Sequence, residues 1–395
     1  MCSAPDSSPA AGSALVRQLG EEMGFGLVGI APARPSEHGD AVRRWLAAGC
    51  QGEMDYLERN LEVRLDPGEL LAGARSVIAV ADFYERGCVA EWSSARVGEE
   101  PGGEAAHWAT GPRGDSATPV PLGRVARYAW GGDYHKVMKK RLFGLADGLR
   151  AALPGAAFKV TVDTAPALER EHAERAGLGW TGKHTLLIHP RHGSWMLLGL
   201  IFTTAELESS EEAGWPGRTA PPADHCGSCT RCIDACPTDA ISPYRVDARK
   251  CISYLTLEHR SLIDPELHAP MGAWIAGCDV CQEVCPHNRK DRQPAVPLKH
   301  RPRPEFAEGM DLLEVLGWSA EDRQAAFVRS ALKRVKLDML KRNALISAGN
   351  WLREHDRPAL RERIEQLAAD ENEPELVRET ARQVLNHQGT KGDSD

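Results

Sequence analysis

Apolar residues recur first at helical spacing and then in short unbroken runs. Ala14 to Gly24 carries the period of an amphipathic helix, whereas residues 1–12 are rich in Ser, Pro and Ala and are predicted to be a disordered tail. Phe25 to Ile30 reads as a strand, Asp40 to Ala48 as a helix, and Gly52 to Tyr56 leads into another. Arg75 to Ala81 has the length and β-branched content of a buried strand. Gly87 to Pro121 is crowded with Gly, Ser, Glu and Pro and predicts a long surface insertion, centred on 92–120. A helix over Lys136 to Leu149 and a strand over Phe158 to Asp163 follow, then a helix from Leu168 that Gly177 ends. Thr185 to Ile188 and Trp195 to Thr203 are expected to pair as strands around a turn at Pro190 to Gly193. Mixed strands and helices predict an α+β domain over 13–210.

From Leu312 the period is helical throughout: Leu312–Leu316, Ala325–Leu332, Met339–Trp351, Ala359–Ala369 and Glu375–Leu385. Short antiparallel pairs of this kind suggest HEAT-like repeats over 301–387, followed by a disordered tail at 388–395. Two pairs fall short of the usual three repeats, so this unit is expected to lean on the rest of the chain.

Between these regions, over 211–300, lies a module defined by cysteine. Eight of the eleven cysteines fall between Cys226 and Cys285. The first run, Cys226-Gly-Ser-Cys229-Thr-Arg-Cys232-Ile-Asp-Ala-Cys236-Pro237, has the spacing by which bacterial ferredoxins hold cubane clusters. The second is split: Cys251 stands alone before Cys278-Asp-Val-Cys281-Gln-Glu-Val-Cys285-Pro286. In two-cluster ferredoxins the fourth cysteine of each run ligates the other run's cluster. That rule gives one [4Fe–4S] cluster Cys226, Cys229, Cys232 and Cys285, and the other Cys236, Cys251, Cys278 and Cys281. Zinc ribbons also use paired CxxC units, but two runs ending in Cys-Pro fit a ribbon poorly.

The 395 residues, 42% of them hydrophobic, suffice for two or three domains. No apolar run reaches the roughly 18 residues of a membrane span, and the first residues lack the pattern of a secretory signal. Clustered free thiolates then point to a reducing cytoplasm. Cys50 and Cys88 read as ordinary thiols. A net charge of −8 argues against indiscriminate nucleic-acid binding. Within it, however, Arg329 to Asn343 is strongly basic. Lys333, Arg334, Lys341 and Arg342 form either a solvated helix face or a phosphate-binding surface.

Two clusters pass electrons one at a time and activate no substrate alone, so a further group must hold the reaction. No dinucleotide or P-loop fingerprint is present. Asp163, at a strand end, could sit in a cleft where desolvation raises its pKa and fits it as a proton donor; it could equally start a turn or cap the next helix. Asp133 reads as a helix N-cap. Gly177 to Lys183 reads as a helix end and turn, and His184 and His189 as polar residues or metal ligands.

Taken together, the chain resembles the tRNA epoxyqueuosine reductases over about residues 13–385. The motifs that carry the resemblance begin with Gly123-Arg-Val-Ala-Arg-Tyr-Ala129, Gly132-Asp-Tyr-His135 and Val162-Asp-Thr-Ala-Pro166 with Leu168-Glu-Arg170. Ala176 to His184, the cysteine module with Cys251 to Glu258 and Gly277 to Gln282, and Lys341 to Asn350 complete them. The resemblance implies a nitroreductase-like cobalamin-binding domain, a ferredoxin-like module and HEAT-like helices. It also implies reduction of epoxyqueuosine to queuosine at the wobble position of tRNA by cob(I)alamin, which the two [4Fe–4S] clusters reload. By motif it makes Asp163 the proton donor and Arg64, Leu187, Ser253 and Asp279, with Asp163, the corrinoid contacts. The basic stretch becomes an anticodon-arm platform, and the partners become tRNA and an external low-potential electron donor, acting on a monomer. Another corrinoid iron–sulfur reductase, such as a dehalogenase, or a ferredoxin-type electron carrier are the alternatives.

Overall fold

The computed structural model of the chain describes residues 8–84, 119–215, 225–288 and 300–389. Most of the expected insertion, part of the linker before the cysteines, Cys2, Cys88 and the C-terminal tail lie outside these residues. The first helix, α1 (Pro9–Glu22), starts earlier than its periodicity suggests, so residues 9–12 are helical rather than part of a tail. Pro9 supplies a preset φ at the first helical position, and Ser8 Oγ accepts from Ala11 N at 3.3 Å.

The central sheet joins β1 (Leu27–Pro32) and β2 (Ser76–Phe83) to later strands. Between these two the chain forms α2 (Gly39–Ala47), α3 (Tyr56–Arg59), α4 (Leu61–Leu65) and α5 (Pro67–Leu70). After β3 (Leu122–Val125) come α6 (Tyr134–Ala152), β4 (Phe158–Thr161), α7 (Glu169–Arg175), and the short strands β5 (Trp180–Thr181) and β6 (Leu187–Ile188). The last strand of this region is β7 (Met196–Thr203). The sheet runs in the order β1-β2-β7-β4, all antiparallel. Every residue of β2 is buried, because α1 and α6 cover one face of the sheet and α7 the other. The expected pairing of 185–188 with 195–203 does not occur. β6 pairs with β5, β7 inserts between β2 and β4, and a bridge from His189 to Gly193 closes the turn that joins the two segments.

The cysteine region contains α8 (Arg231–Asp234), the hairpin β8 (Ile241–Ser242) and β9 (Arg245–Val246), and α9 (Ile252–Leu257). It continues through α10 (Pro265–Met271), β10 (Trp274–Ala276) and α11 (Val280–Glu283). α12 (Pro304–Ala307), β11 (Met310–Asp311), α13 (Leu312–Gly317) and α14 (Ala320–Ala326) lead to the C-terminal helices α15 (Leu337–Trp351), α16 (Pro358–Ala369) and α17 (Glu375–Gly389). A second sheet, β10-β3-β11, takes one strand from each of the three regions read from the sequence. One apolar core runs from β3 and β10 through α13 to α17, so the three regions pack as one body around it. The helix expected over Ala325 to Leu332 is broken: α14 ends at Ala326, Arg329 takes φ 57°, and Ser330 caps a separate 3-10 turn over Ala331–Arg334.

Candidate functional site

None of the eight cysteines of the module is joined in a disulfide. Their mutual neighbours sort them into two quartets. Cys285 lies within electrostatic reach of Cys226, Cys229 and Cys232. Cys251 faces Cys236, and Cys281 faces Cys251 and Cys236, with Cys278 beside Cys281 and Cys251. Cys281 also feels Cys232, so the two quartets adjoin. Burial pushes the Cys285 thiol up to about 11 and raises the Cys278 and Cys281 thiols as well. Such desolvated thiols suit iron, which binds the thiolate and supplies the missing positive charge. Among the described residues, no three His, Cys, Asp or Glu side chains converge as tightly as a single metal ion requires.

Beside the module, α6 and the loop after β4 build a chain of polar groups. Asp133 caps α6, accepting from His135 N at 3.2 Å, as the sequence predicts. Its Oδ1 also lies 2.9 Å from His135 Nδ1, and His135 Nε2 lies 2.9 Å from Asp163 Oδ2. Asp163 sits two residues past β4 in the left-handed region, φ 55°. Its backbone N–H donates to Glu169 Oε1 at 2.7 Å, so both ends of the residue are held. Its side chain does not cap α7.

The charges here differ from the expected pattern. Burial pushes the Asp163 carboxyl up, but it is outweighed by the hydrogen bond and charge of His135, the charge of Arg334 and a hydrogen bond from Tyr134. The net effect holds Asp163 below the usual carboxylate range, not above it. Burial pulls His135 down, and its two carboxylate partners outweigh that and raise it. The elevated carboxyl is Glu169, pushed up to about 8 by burial first and then by the negative charge of Asp163.

Around this pair stand groups whose place here sequence reasoning missed. Arg334 pairs with Glu258 at 2.8 Å and faces Asp163, Tyr128 and Tyr134. Tyr56 faces the same Arg334, Glu258 and Asp163. Tyr128, pushed up to about 12 by burial, lies in the field of both Asp163 and Asp279. His135 and Glu169 are legible only within the quoted motifs, and nothing local links Arg334 to Asp163, which is 171 positions earlier.

Of the corrinoid contacts implied by the resemblance, Arg64 lies within reach of Tyr56 and Glu169, and Asp279 within reach of Tyr128. Arg64 Nε is buried without a hydrogen-bond partner, and burial lowers the guanidinium's pKa, with Tyr56 and Glu169 opposing. Asp279 is 2% exposed, accepts from Arg127 N at 2.8 Å and is pushed up to about 7, by burial first and then by Glu283. Ser253 lies in the first turn of α9, the helix that begins directly after the ligand Cys251. The Leu187 side chain packs in the core with Ala173 and Leu200, so only its backbone is free to touch a cofactor. Of the four basic candidates, Lys333 and Arg334 are exposed. Lys341 and Arg342 are not: Lys341 is 4% exposed and paired with Glu373, and Arg342 is fully buried. Their charges hold the fold and are withdrawn from any RNA-binding face.

A family model described as a 4Fe-4S double cluster binding domain matches residues 225–288. A second, described as epoxyqueuosine reductase QueG, DUF1730, matches 64–164 and so includes Arg64, Asp133, His135 and Asp163. The epoxyqueuosine reductase of Pseudomonas aeruginosa is 37% identical over 389 residues, covering 98% of this chain and 97% of its own. The chain belongs to the epoxyqueuosine reductase family. The Burkholderia pseudomallei epoxyqueuosine reductase is 38% identical over 341 residues, 86% of this chain and 81% of its own. A solved epoxyqueuosine reductase with an epoxyqueuosine-modified tRNA-Tyr stem loop has 25% sequence identity to this chain. It superposes with a TM-score of 0.76, covering 97% of this chain and 94% of that one. The Bacillus subtilis epoxyqueuosine reductase, solved with its catalytic aspartate loop swung out of the active site, gives 0.75 at 25% identity, covering 96% of each chain.

Proposed function

We propose that this chain reduces the epoxide of epoxyqueuosine in tRNA to the cyclopentene of queuosine, the reaction for which its family is named. The overall change consumes two electrons and two protons and releases the epoxide oxygen as water. One observation carries the reading to this molecule: the Asp133–His135–Asp163 chain shares its fold with a double-cluster cysteine module, and Tyr128 lies in the field of both Asp163 and that module's Asp279. Cys226, Cys229, Cys232 and Cys285 would hold one [4Fe–4S] cluster and Cys236, Cys251, Cys278 and Cys281 the other, and the pair would supply electrons one at a time. Cobalamin, held by Arg64, Ser253, Asp279 and the backbone of Leu187, would supply a low-valent cobalt able to open the epoxide. The partnerless Arg64 Nε fits a ligand rich in acceptors.

The protein's own part is positioning and proton supply. With His135 raised and Asp163 lowered, the resting proton of the pair sits on the imidazole, and Asp163 is the carboxylate through which it reaches the leaving oxygen. A wobble nucleoside splayed into the cleft would meet Tyr56 and Arg334 at its rim, with phosphates taken by Lys333 and Lys336. We further read the sheet region as nitroreductase-like, 225–288 as ferredoxin-like and α15 to α17 as HEAT-like. On this reading the enzyme is a cytoplasmic monomer served by an external low-potential donor. Among the described residues no helix is long and apolar enough to cross a membrane.

The test is anaerobic reconstitution with iron, sulfide and cobalamin, followed by an assay on tRNA carrying epoxyqueuosine. Queuosine should form with about eight irons per chain; a fully loaded chain that leaves the epoxide intact would sink the proposal. A second expectation concerns pH. Glu169 stays neutral until about pH 8; beyond that it adds a second negative charge beside Asp163, so kcat/KM should fall through pH 8. Glu169→Gln keeps the acceptor for Asp163 N and cannot ionise, and should lack this alkaline limb. The sign for stability is the same: the native chain holds this proton up to about 8, the unfolded chain only to 4.5. The contribution is therefore complete below 4.5 and lost as pH rises to 8, and denaturation midpoints across that window should show it flattened in the variant.

A further inference from the structure

The segment Gly177 to His184 takes no part in the proton chemistry, yet it connects the central sheet region to the cysteines. α7 ends at Arg175, and Gly177, two residues on, turns the chain at φ 76°. The chain then lies so close to β6 that a Cβ at Gly179 would stand 2.3 Å from the carbonyl oxygen of Ile188. That approach carries Trp180 onto the module. The indole is 2% exposed and packs with Ile188, Cys285 and Cys226. His225 and His287 meet it edge to face, with ring centroids at 4.7 and 4.9 Å. Its Nε1–H is buried and finds no acceptor among the described residues. Indole nitrogen is only a donor, so a buried one without a partner is costly unless something outside the polypeptide accepts from it. Three residues on, Lys183 Nζ donates to the carbonyls of Gly227 at 2.6 Å and Cys229 at 3.1 Å, fastening the loop between two ligands of the same cluster.

We propose that Trp180 donates its indole N–H to a sulfur of the [4Fe–4S] cluster held by Cys226, Cys229, Cys232 and Cys285, and so raises that cluster's reduction potential. Lys183 supports the same contact by holding the loop that carries Cys226 and Cys229 against the indole. A hydrogen bond to cluster sulfur favours the reduced, more negative form, and solvent exclusion around the indole strengthens it. This rests on the cluster assignment above, and the experiment separates the two.

Full-length wild type and Trp180→Phe are reconstituted side by side, analysed for iron and titrated electrochemically with EPR detection. The phenyl ring keeps an aromatic filler and loses the donor. One midpoint should fall by enough to change its reduced-to-oxidised ratio about tenfold at fixed potential, ~59 mV for one electron, while the other stays put. Unchanged midpoints in a variant with full iron overturn the proposal. If the variant loses iron, the wild type decides. With 15N-indole tryptophan its reduced cluster should show a 15N coupling and an exchangeable proton in pulsed EPR, and their absence overturns the contact. A wild type that binds zinc or no iron instead removes the cluster assignment, and the proposal with it.

Discussion

Asp163→Asn should lower turnover by about 10²–10⁴-fold, the usual worth of a positioned proton-transfer group, while iron content and tRNA affinity stay at wild-type values. The substitution isolates chemistry from architecture. Position 163 sits at φ 55°, a conformation Asn accepts more readily than most residues. The backbone N–H that anchors the loop to Glu169 is retained. What disappears is a carboxylate that takes the imidazole's proton at 2.9 Å and passes it to the leaving oxygen. The pair, not the aspartate alone, is the acid, because Asp163 is held low by the same His135 that it holds high. His135→Gln should therefore reproduce most of the loss. Single-turnover rates with bound substrate separate this from weakened binding. Turnover undiminished in Asp163→Asn would remove the residue from the mechanism.

What the sequence made legible follows the range of the physics. The cysteine code is local, since ligand spacing within Cys226 to Cys236 and Cys278 to Cys285 is set by the geometry of the cluster, and the double-cluster family model matches the same stretch. Long periodic helices such as α6 and α15 were visible for the same reason. The misreadings occur where one residue's backbone or a distant partner decides. Ala325 to Leu332 has a helical period, but Arg329 turns left-handed and splits it. Thr185 to Ile188 has a strand pattern, but its partner is the two-residue β5 rather than the long β7. Asp163 was found through its motif with the wrong sign of pKa shift. The sign depends on His135, 28 positions away, and on Arg334 from the C-terminal region. The basic stretch misled in a similar way, because a charge run says nothing about which of its members meet water.

That last point separates two sets of substitutions within one motif. Arg342→Ala should destabilise the protein by about 3–5 kcal/mol, the cost of breaking a buried, hydrogen-bonded charge site. Arg342 Nη1 donates to the carbonyls of His259 at 2.8 Å and Ser261 at 2.7 Å, and Nη2 donates to that of Leu255 at 2.6 Å. Asn343, which accepts from the same guanidinium, reaches on to the carbonyls of Thr256 and Ile275, both at 2.9 Å. Together they place a cation at the C-terminal end of α9, where its orphan carbonyls concentrate, and tie α15 to β10. Burial lowers the guanidinium only to about 10, so it stays charged at neutral pH. Removing it strands those carbonyls in a dry core and loosens the helix that follows Cys251, so cluster retention should fall along with the denaturation midpoint. Lys333→Ala with Lys336→Ala should do the opposite. Both side chains are exposed, stability should hold within about 0.5 kcal/mol, and tRNA binding should weaken, its salt slope shrinking by roughly one for each phosphate no longer neutralised. Denaturation and salt-dependent tRNA titration of both variants decide it. If Arg342→Ala weakens tRNA binding at full stability, the buried staple has been misassigned.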